Sequence, residues 1–287
     1  AQLMLADGKP HEKPALFNTE YGVVEMTYTE ADESYAAKRR SQKSGVRTRQ
    51  LPGVSPLVFS RFLLKKTAFL SLSDMGKALP SYEEIPIACR MEEVVQTEYK
   101  RIEDALVRVL RSDRRAAQKI LSAYLNLLTV YPDQPYDQKL ILYPDSDVPI
   151  VEPENIGDAD TFGEKEQKTL EIVKAAIQNG ERALIYTSWV RTDSQQKLKK
   201  LLTDEGYRTE ILTDKIKTTN REEWVQKKLA AGMQVLIVNP SLVETGLDLN
   251  AFTTLVFYSM GYKLFTLRQA SRRSWRINQK APAVKVY

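Results

Sequence analysis

Residues 268–279 read RQASRRSWRINQ, with four arginines in twelve positions. Guanidiniums stay protonated at physiological pH and present planar forks of donors that match phosphate oxygens two at a time. Gln269, Arg273 and Arg276 lie four and then three residues apart, so on a helix they form one stripe. An amide and two fixed cations in a row suit the stabilisation of a phosphoryl group. The bland alternative is a solvated helix face, with Trp275 and Ile277 packing elsewhere.

Three further sets invite chemistry. KRRSQKSGVRTR, residues 38–49, holds six basic residues and no acid. It reads as a mobile basic loop, and Lys38, Arg39, Arg40, Lys43, Arg47 and Arg49 are candidates for nucleic-acid phosphates or for a plain surface insertion. Thr187 and Ser188 close the apolar run RALIYTS. Small hydroxyls there suit phosphate contact without base readout, and equally suit local backbone satisfaction. Gly246 and Asp248 lie in NPSLVETGLDLN, where Glu244 and Thr245 could cap a turn and Asp248 could do the same. Trp189 is a stacking platform or a packed tryptophan.

Composition limits the options. Of 287 residues 43% are hydrophobic, enough for one large or two small domains, and 42 Lys and Arg against 37 acids leave a net charge of +5. That bias is compatible with nucleic acid without requiring it. Cys89 is the single cysteine and His11 the single histidine. An internal disulfide, a thiolate metal cluster and a Ser-His-Asp triad are therefore not expected, and no metal site is assigned. No apolar run approaches the roughly 18 residues of a membrane span, and no signal peptide is visible. The expectation is a soluble intracellular protein, nucleoid or nuclear if it works on DNA.

These residues need elements to position them. From 1 to 60 the chain is polar and irregular, with a short strand-like run in EYGVVEMTYTE. From 61 to 160 it reads as helical and linker. SPLVFSRFLLKKTAFLSL looks helical and EEIPIACRM looks like a strand. Two long amphipathic helices follow, with Val94, Tyr99, Ile102, Leu106 and Val109, then Ile120, Tyr124, Leu127 and Leu128, at helical spacing. From 161 to 287 strands alternate with helices, stopped at Gly180, Gly206 and Gly232, and FTLRQASRRSWRI reads as a last helix. That alternation predicts an α/β layer with a mostly parallel sheet. Ligands of such sheets bind at the carboxyl ends of the strands.

The order RALIYTSW, NREEWVQKKL, QVLIVNPSLVETGLDL, TLVFYS, RQASRRSWRINQ resembles the second RecA-like lobe of a superfamily-two helicase or translocase. It is most similar to the Swi/Snf-type DNA translocases. Their last motif has the form Q-A-x-D-R-x-x-R-I-G-Q, which this chain matches at Gln269, Ala270, Arg273, Arg276, Ile277 and Gln279 and leaves at Arg272 and Asn278. ETGLDL is closer to the G-x-D form of other superfamily-two helicases. FLLKKT is similar to the segment that introduces the second lobe, and FNTEYG to the region between lobes.

The resemblance implies a RecA-like lobe over 161–287, a helical and linker lead-in over 61–160 and an inter-lobe segment over 1–60. It implies that Arg273 and Arg276 act as arginine fingers on ATP, and that Gln269, Gly246 and Asp248 meet the nucleotide. Thr187 and Ser188 would touch the nucleic-acid backbone. No G-x-x-x-x-G-K-[ST] and no D-E-x-[HD] occurs, so the triphosphate and Mg2+ ligands are expected on a first lobe that is not part of this chain. The expected partners are that lobe and DNA bound without sequence preference, with no membrane. ATP and Mg2+ would serve the full-length protein, and neither is expected on this chain, which alone would be inactive. A non-catalytic DNA- or protein-binding adaptor and an RNA helicase lobe remain open.

Overall fold

The computed structural model describes residues 14–29, 45–68, 79–188, 193–243 and 246–287. The chain forms two compact units, Ala1–Met75 and Gly76–Tyr287.

In the first unit, helix α1 (Pro14–Tyr21) runs into strand β1 (Gly22–Thr29), which pairs antiparallel with β2 (Gly45–Val54). GVRTRQLPGV is thus a strand, not the mobile loop its basic composition suggested. Arg47 pairs with Thr27 and Arg49 with Glu25 in the ladder, while Lys38, Arg39, Arg40 and Lys43 lie outside the described residues. Pro52 is tolerated because a two-stranded ribbon has only edges. The expected helix over SPLVFSRFLLKK begins as one turn, α2 (Pro56–Val58), capped by Ser55. It then widens to a π turn at Phe59–Leu63 and tightens to a 3₁₀ turn at Leu64–Lys66. Tyr21 anchors this unit: it is fully buried between the rings of Phe17 and Phe62 and accepts a 3.2 Å hydrogen bond from Arg61.

The second unit opens with β3 (Ser81–Glu84), shorter than EEIPIACRM suggested, since residues 85–92 carry no regular structure. Helices α3 (Glu93–Ser112) and α4 (Arg114–Val130) follow as their periodicity predicts. Their shared core takes Val95, Ile102, Leu106 and Val109 from α3 and Ala116, Ile120 and Leu127 from α4. Val95 rather than Val94 fills the first position, and Val94 is 64% exposed. A small antiparallel pair, β4 (Ile141–Leu142) and β5 (Pro149–Val151), covers this core's end.

The remaining elements are α5 (Glu164–Gln178), β6 (Ala183–Tyr186), α6 (Ser194–Asp204), β7 (Thr209–Leu212), α7 (Arg221–Ala230), β8 (Val235–Val238), β9 (Thr254–Phe257), α8 (Leu264–Ser271) and β10 (Ala283–Val286). Six strands make one sheet in the order β3-β10-β9-β6-β8-β7, with every neighbouring pair parallel. The continuous apolar runs ALIY and VLIV are buried at every position, as strands covered on both faces must be. Alternate residues serve opposite faces. Leu184, Tyr186, Leu236 and Val238 pack with Val225 of α7 and Ala270 of α8. Ala183, Ile185, Val235 and Ile237 pack with Val173 of α5 and Leu198 and Leu202 of α6. Gly180, Gly206 and Gly232 all have φ between 75° and 88° just past these helices, the left-handed stop expected of them. The sheet begins earlier in the chain than residue 161, because β3 forms its edge on β10. Among the described residues no helix is long and apolar enough to cross a membrane.

Candidate functional site

Adjacent strands β6 and β9 send their chains to opposite sides of the sheet, β6 through α6 toward β7 and β9 through α8 toward β10. In an open parallel sheet such a divergence marks the ligand-binding edge. The residues leaving these strands are therefore the candidates for ligand contact.

Thr187 and Ser188 end β6, and both hydroxyls are engaged within the protein. Thr187 is fully buried and its Oγ1 accepts from Gln195 Nε2 at 2.8 Å. Ser188 donates its N–H to Ser259 Oγ at 2.9 Å and its hydroxyl to Ser259 O at 2.9 Å. Asn239, at the end of β8, donates to Ser188 O at 3.0 Å. These bonds tie the ends of β6, β8 and β9 together, the local backbone role that small hydroxyls at a strand end also suit. Trp189 lies outside the described residues.

The stripe expected from Gln269, Arg273 and Arg276 also does not form. Helix α8 stops at Ser271, and Arg272 is its cap at φ −98°, ψ 5°. Beyond it Arg273 N–H bonds back to Ala270 O, and Gln279 N–H to Arg276 O, each closing a turn. The helix yields because its next side chains find partners outside it. Ser274 Oγ donates to Leu249 O at 3.0 Å, and Trp275 Nε1 to Pro80 O at 2.8 Å. Gln269 stays on α8, exposed, while Arg273 and Arg276 sit half-buried on the irregular segment. Arg272 lies over the Trp275 ring, 5.6 Å from its centroid. Arg273 is nearer the sheet. Burial holds the Tyr186 phenol far above its ordinary pKa, and the Arg273 guanidinium pulls the other way. The Tyr186 hydroxyl donates to Ala270 O at 2.9 Å, locking the end of α8 to β6.

The loop after β8 meets this segment directly. Gln279 Nε2 donates to Asn250 O at 2.9 Å and Ser274 O at 3.0 Å, and its Oε1 accepts from Ala281 N. Asn250 Nδ2 donates to Asn278 Oδ1 at 2.9 Å. With the Ser274–Leu249 bond, these contacts clip residues 249–250 to residues 274–281. Asp248 uses one carboxylate oxygen to accept from Asn250 N at 3.0 Å, closing an Asx turn, while its own N–H bonds Glu222 Oε2 at 2.9 Å. Gly246 is exposed at φ 70°, a conformation that favours glycine, with open space where a β-carbon would stand. Glu244 and Thr245 lie outside the described residues. The clip residues Asn250, Ser274 and Gln279 carried no role in the sequence reading, although Gln279 was among the matched motif positions.

Residues 164–278 match the family described as "Helicase conserved C-terminal domain". Among solved structures, the C-terminal part of the Fun30 ATPase domain is similar at TM-score 0.54 and 13% identity, over 72% of this chain and 84% of that one. The Sulfolobus solfataricus SWI2/SNF2 ATPase core in complex with dsDNA is similar at TM-score 0.54 and 18% identity, over 72% of this chain and 40% of that one. The fold is therefore shared with the C-terminal part of SWI2/SNF2-type ATPases, as the motif order implied. The chain spans less than half of that core. No curated protein matches by sequence.

Proposed function

We propose that this chain is the second lobe of an ATP-dependent DNA translocase or helicase, supplying Arg273 and Arg276 to an ATP site completed by a first lobe. The observation that carries this reading is the clip between residues 249–250 and 274–281. It joins the two segments that the motif resemblance assigns to the nucleotide, and it fixes the turns that hold both arginines. Fixed donors aimed at developing charge need no reorganisation at the moment of reaction. Two permanent guanidiniums and the bare backbone at Gly246 fit a polyphosphate; Gln269 on exposed α8 is free to reach the same group. When bound, ATP supplies the transferable phosphoryl group. Arg273 and Arg276 stabilise the negative charge that shifts on it, as arginine fingers do. Mg2+ ligands and the phosphate cradle are assigned to the first lobe.

DNA is the favoured track because the fold neighbour from Sulfolobus solfataricus is described with dsDNA. The contact is assigned to the basic segment of residues 38–49, with six basic residues and no acid. The test is a salt titration of duplex binding by this chain. Affinity should fall with salt, each neutralised phosphate adding about −0.9 to the log–log slope. Salt-independent binding, or none at low salt, contradicts the DNA assignment.

A second reading, a protein-binding adaptor, draws support from the segment between β9 and the first turn of α8. Met260, Tyr262, Leu264 and Phe265 are 61–73% exposed there, a run of large apolar groups that suits protein docking. An adaptor needs no arginine chemistry, so ATPase rates of variants at Arg273 and Arg276 separate the two.

A further inference from the structure

A cavity of about 550 Å³ opens between the α3–α4 layer and the α5 face of the sheet, outside the arginine segment. Its inner wall is polar and buried. Asp133, Tyr136, Glu166, Lys197 and Tyr258 line it, each no more than 5% exposed. They come from positions 133 to 258, so no sequence motif announces them.

Most of this wall is internally satisfied. Glu166 Oε1 accepts from Lys197 Nζ at 2.7 Å and from the Tyr258 hydroxyl at 2.9 Å, and Oε2 accepts from Gly163 N at 3.0 Å. Asp133 Oδ1 accepts from Lys165 at 2.5 Å. Two atoms are left over: Asp133 Oδ2 and the Tyr136 hydroxyl are buried without a hydrogen-bond partner among the described residues. Folded proteins rarely leave such groups unpaired, because each desolvated polar atom without a partner is costly.

The sign of the missing partner follows from the charges. Five carboxylates line the cavity against three basic groups. Two of those bases, Lys165 and Lys197, are already paired with Asp133 and Glu166. Burial, and then the field of Asp193, Glu166, Asp137 and Asp158, push the Tyr136 phenol up to about 12, so the hydroxyl keeps its proton in a negative environment. A phosphate would meet carboxylates here. Val95, Ile87 and Pro135 add an apolar side suited to a short alkyl stem.

We infer that this cavity binds an organic cation with N–H donors, an alkylammonium or alkylguanidinium group, held by Asp133 Oδ2 and the Tyr136 hydroxyl. The volume suits a small ligand or a single long side chain. The same chemistry is offered by a free amine and by a lysine or arginine on a peptide. This inference does not depend on the translocase reading.

Calorimetric titration of the 287-residue chain tests it with three probes: agmatine, the peptide Gly-Gly-Arg-Gly-Gly, and the uncharged N-butylurea. Agmatine should bind and N-butylurea should not. Binding of the peptide as well places the cation on a polypeptide; binding of agmatine alone makes it a free small molecule. Tyr136→Phe keeps the ring and removes only an unpaired hydroxyl, so the fold should hold while agmatine affinity falls by about tenfold. Asp133→Asn should weaken it further. No binding of either cation, equal binding of N-butylurea, or unchanged affinity in Tyr136→Phe overturns the inference.

Discussion

Gln279 makes three hydrogen bonds with one side chain. Its amide holds Asn250 O, Ser274 O and Ala281 N at once. Gln279→Ala leaves two partly buried carbonyls without a donor, so denaturant melts should show a loss of about 1–2 kcal/mol. Amide exchange should quicken at residues 247–250 and 272–280 while the central strands stay protected; a uniform change would mean the clip does not hold those segments. This residue was legible in the sequence only as a motif match. Its role depends on Asn250, 29 positions away, reaching the same turn. Arg273 and Arg276 were legible as residue types, but their helical stripe was not real. Periodicity reports what a helix would present, and it cannot see that Ser274 and Trp275 have partners at Leu249 and Pro80 that a continuing helix would forgo.

At the scale of elements, two ion pairs show where stability is concentrated. Lys197 on α6 and Glu166 on α5 pair at 2.7 Å with side chains 4% and 5% exposed. Lys197→Met strands a buried carboxylate, and thermal and denaturant melts should show a loss of about 3–5 kcal/mol. Lys168→Met removes a surface pair with Glu171 and should melt close to the parent. Equal effects would show that the buried pair is not special. Glu98 on α3 works differently. Burial acts to raise its pKa, but the hydrogen bonds from Arg101 and from Glu154 N–H outweigh it and hold the carboxyl below the usual range. A depressed acid stabilises the fold above its unfolded pKa, about 4.3, and that stability is lost as pH falls through the folded value. Glu98→Gln should therefore be less stable at neutral pH, with the gap to the parent closing below about pH 4. A gap that stays constant with pH contradicts this.

Helices α3 and α4 were readable from their apolar spacing, and α5 to α7 with β6, β7 and β8 because apolar spacing and glycine stops agree there; the short pair β4 and β5 lay in a stretch whose Pro and Asp content read as linker. The elements misread were those lacking such agreement. Strand β2 was hidden by its basic residues, since charge says nothing about backbone pairing. EEIPIACRM kept only its first part as strand, because β10 offers four residues of partner and no more.

For the whole molecule, the central claim is that this lobe completes an ATP site it cannot form alone. The 287-residue chain should show no DNA-stimulated ATP hydrolysis by itself; turnover surviving contaminant controls would mean that a phosphate site exists within it. The direct measurement joins the chain to its first lobe and compares ATPase rates of the parent with Arg273→Ala, Arg276→Ala and Arg273→Lys, each checked by thermal melting. Each substitution should lower turnover by about 10³–10⁵, about 4–7 kcal/mol of barrier, and leave the melting temperature nearly unchanged. Arg273→Lys should fail with the alanines, because a point ammonium lacks the planar fork. Near-normal turnover in both alanine variants would take these arginines out of the chemistry and leave the adaptor as the reading to pursue.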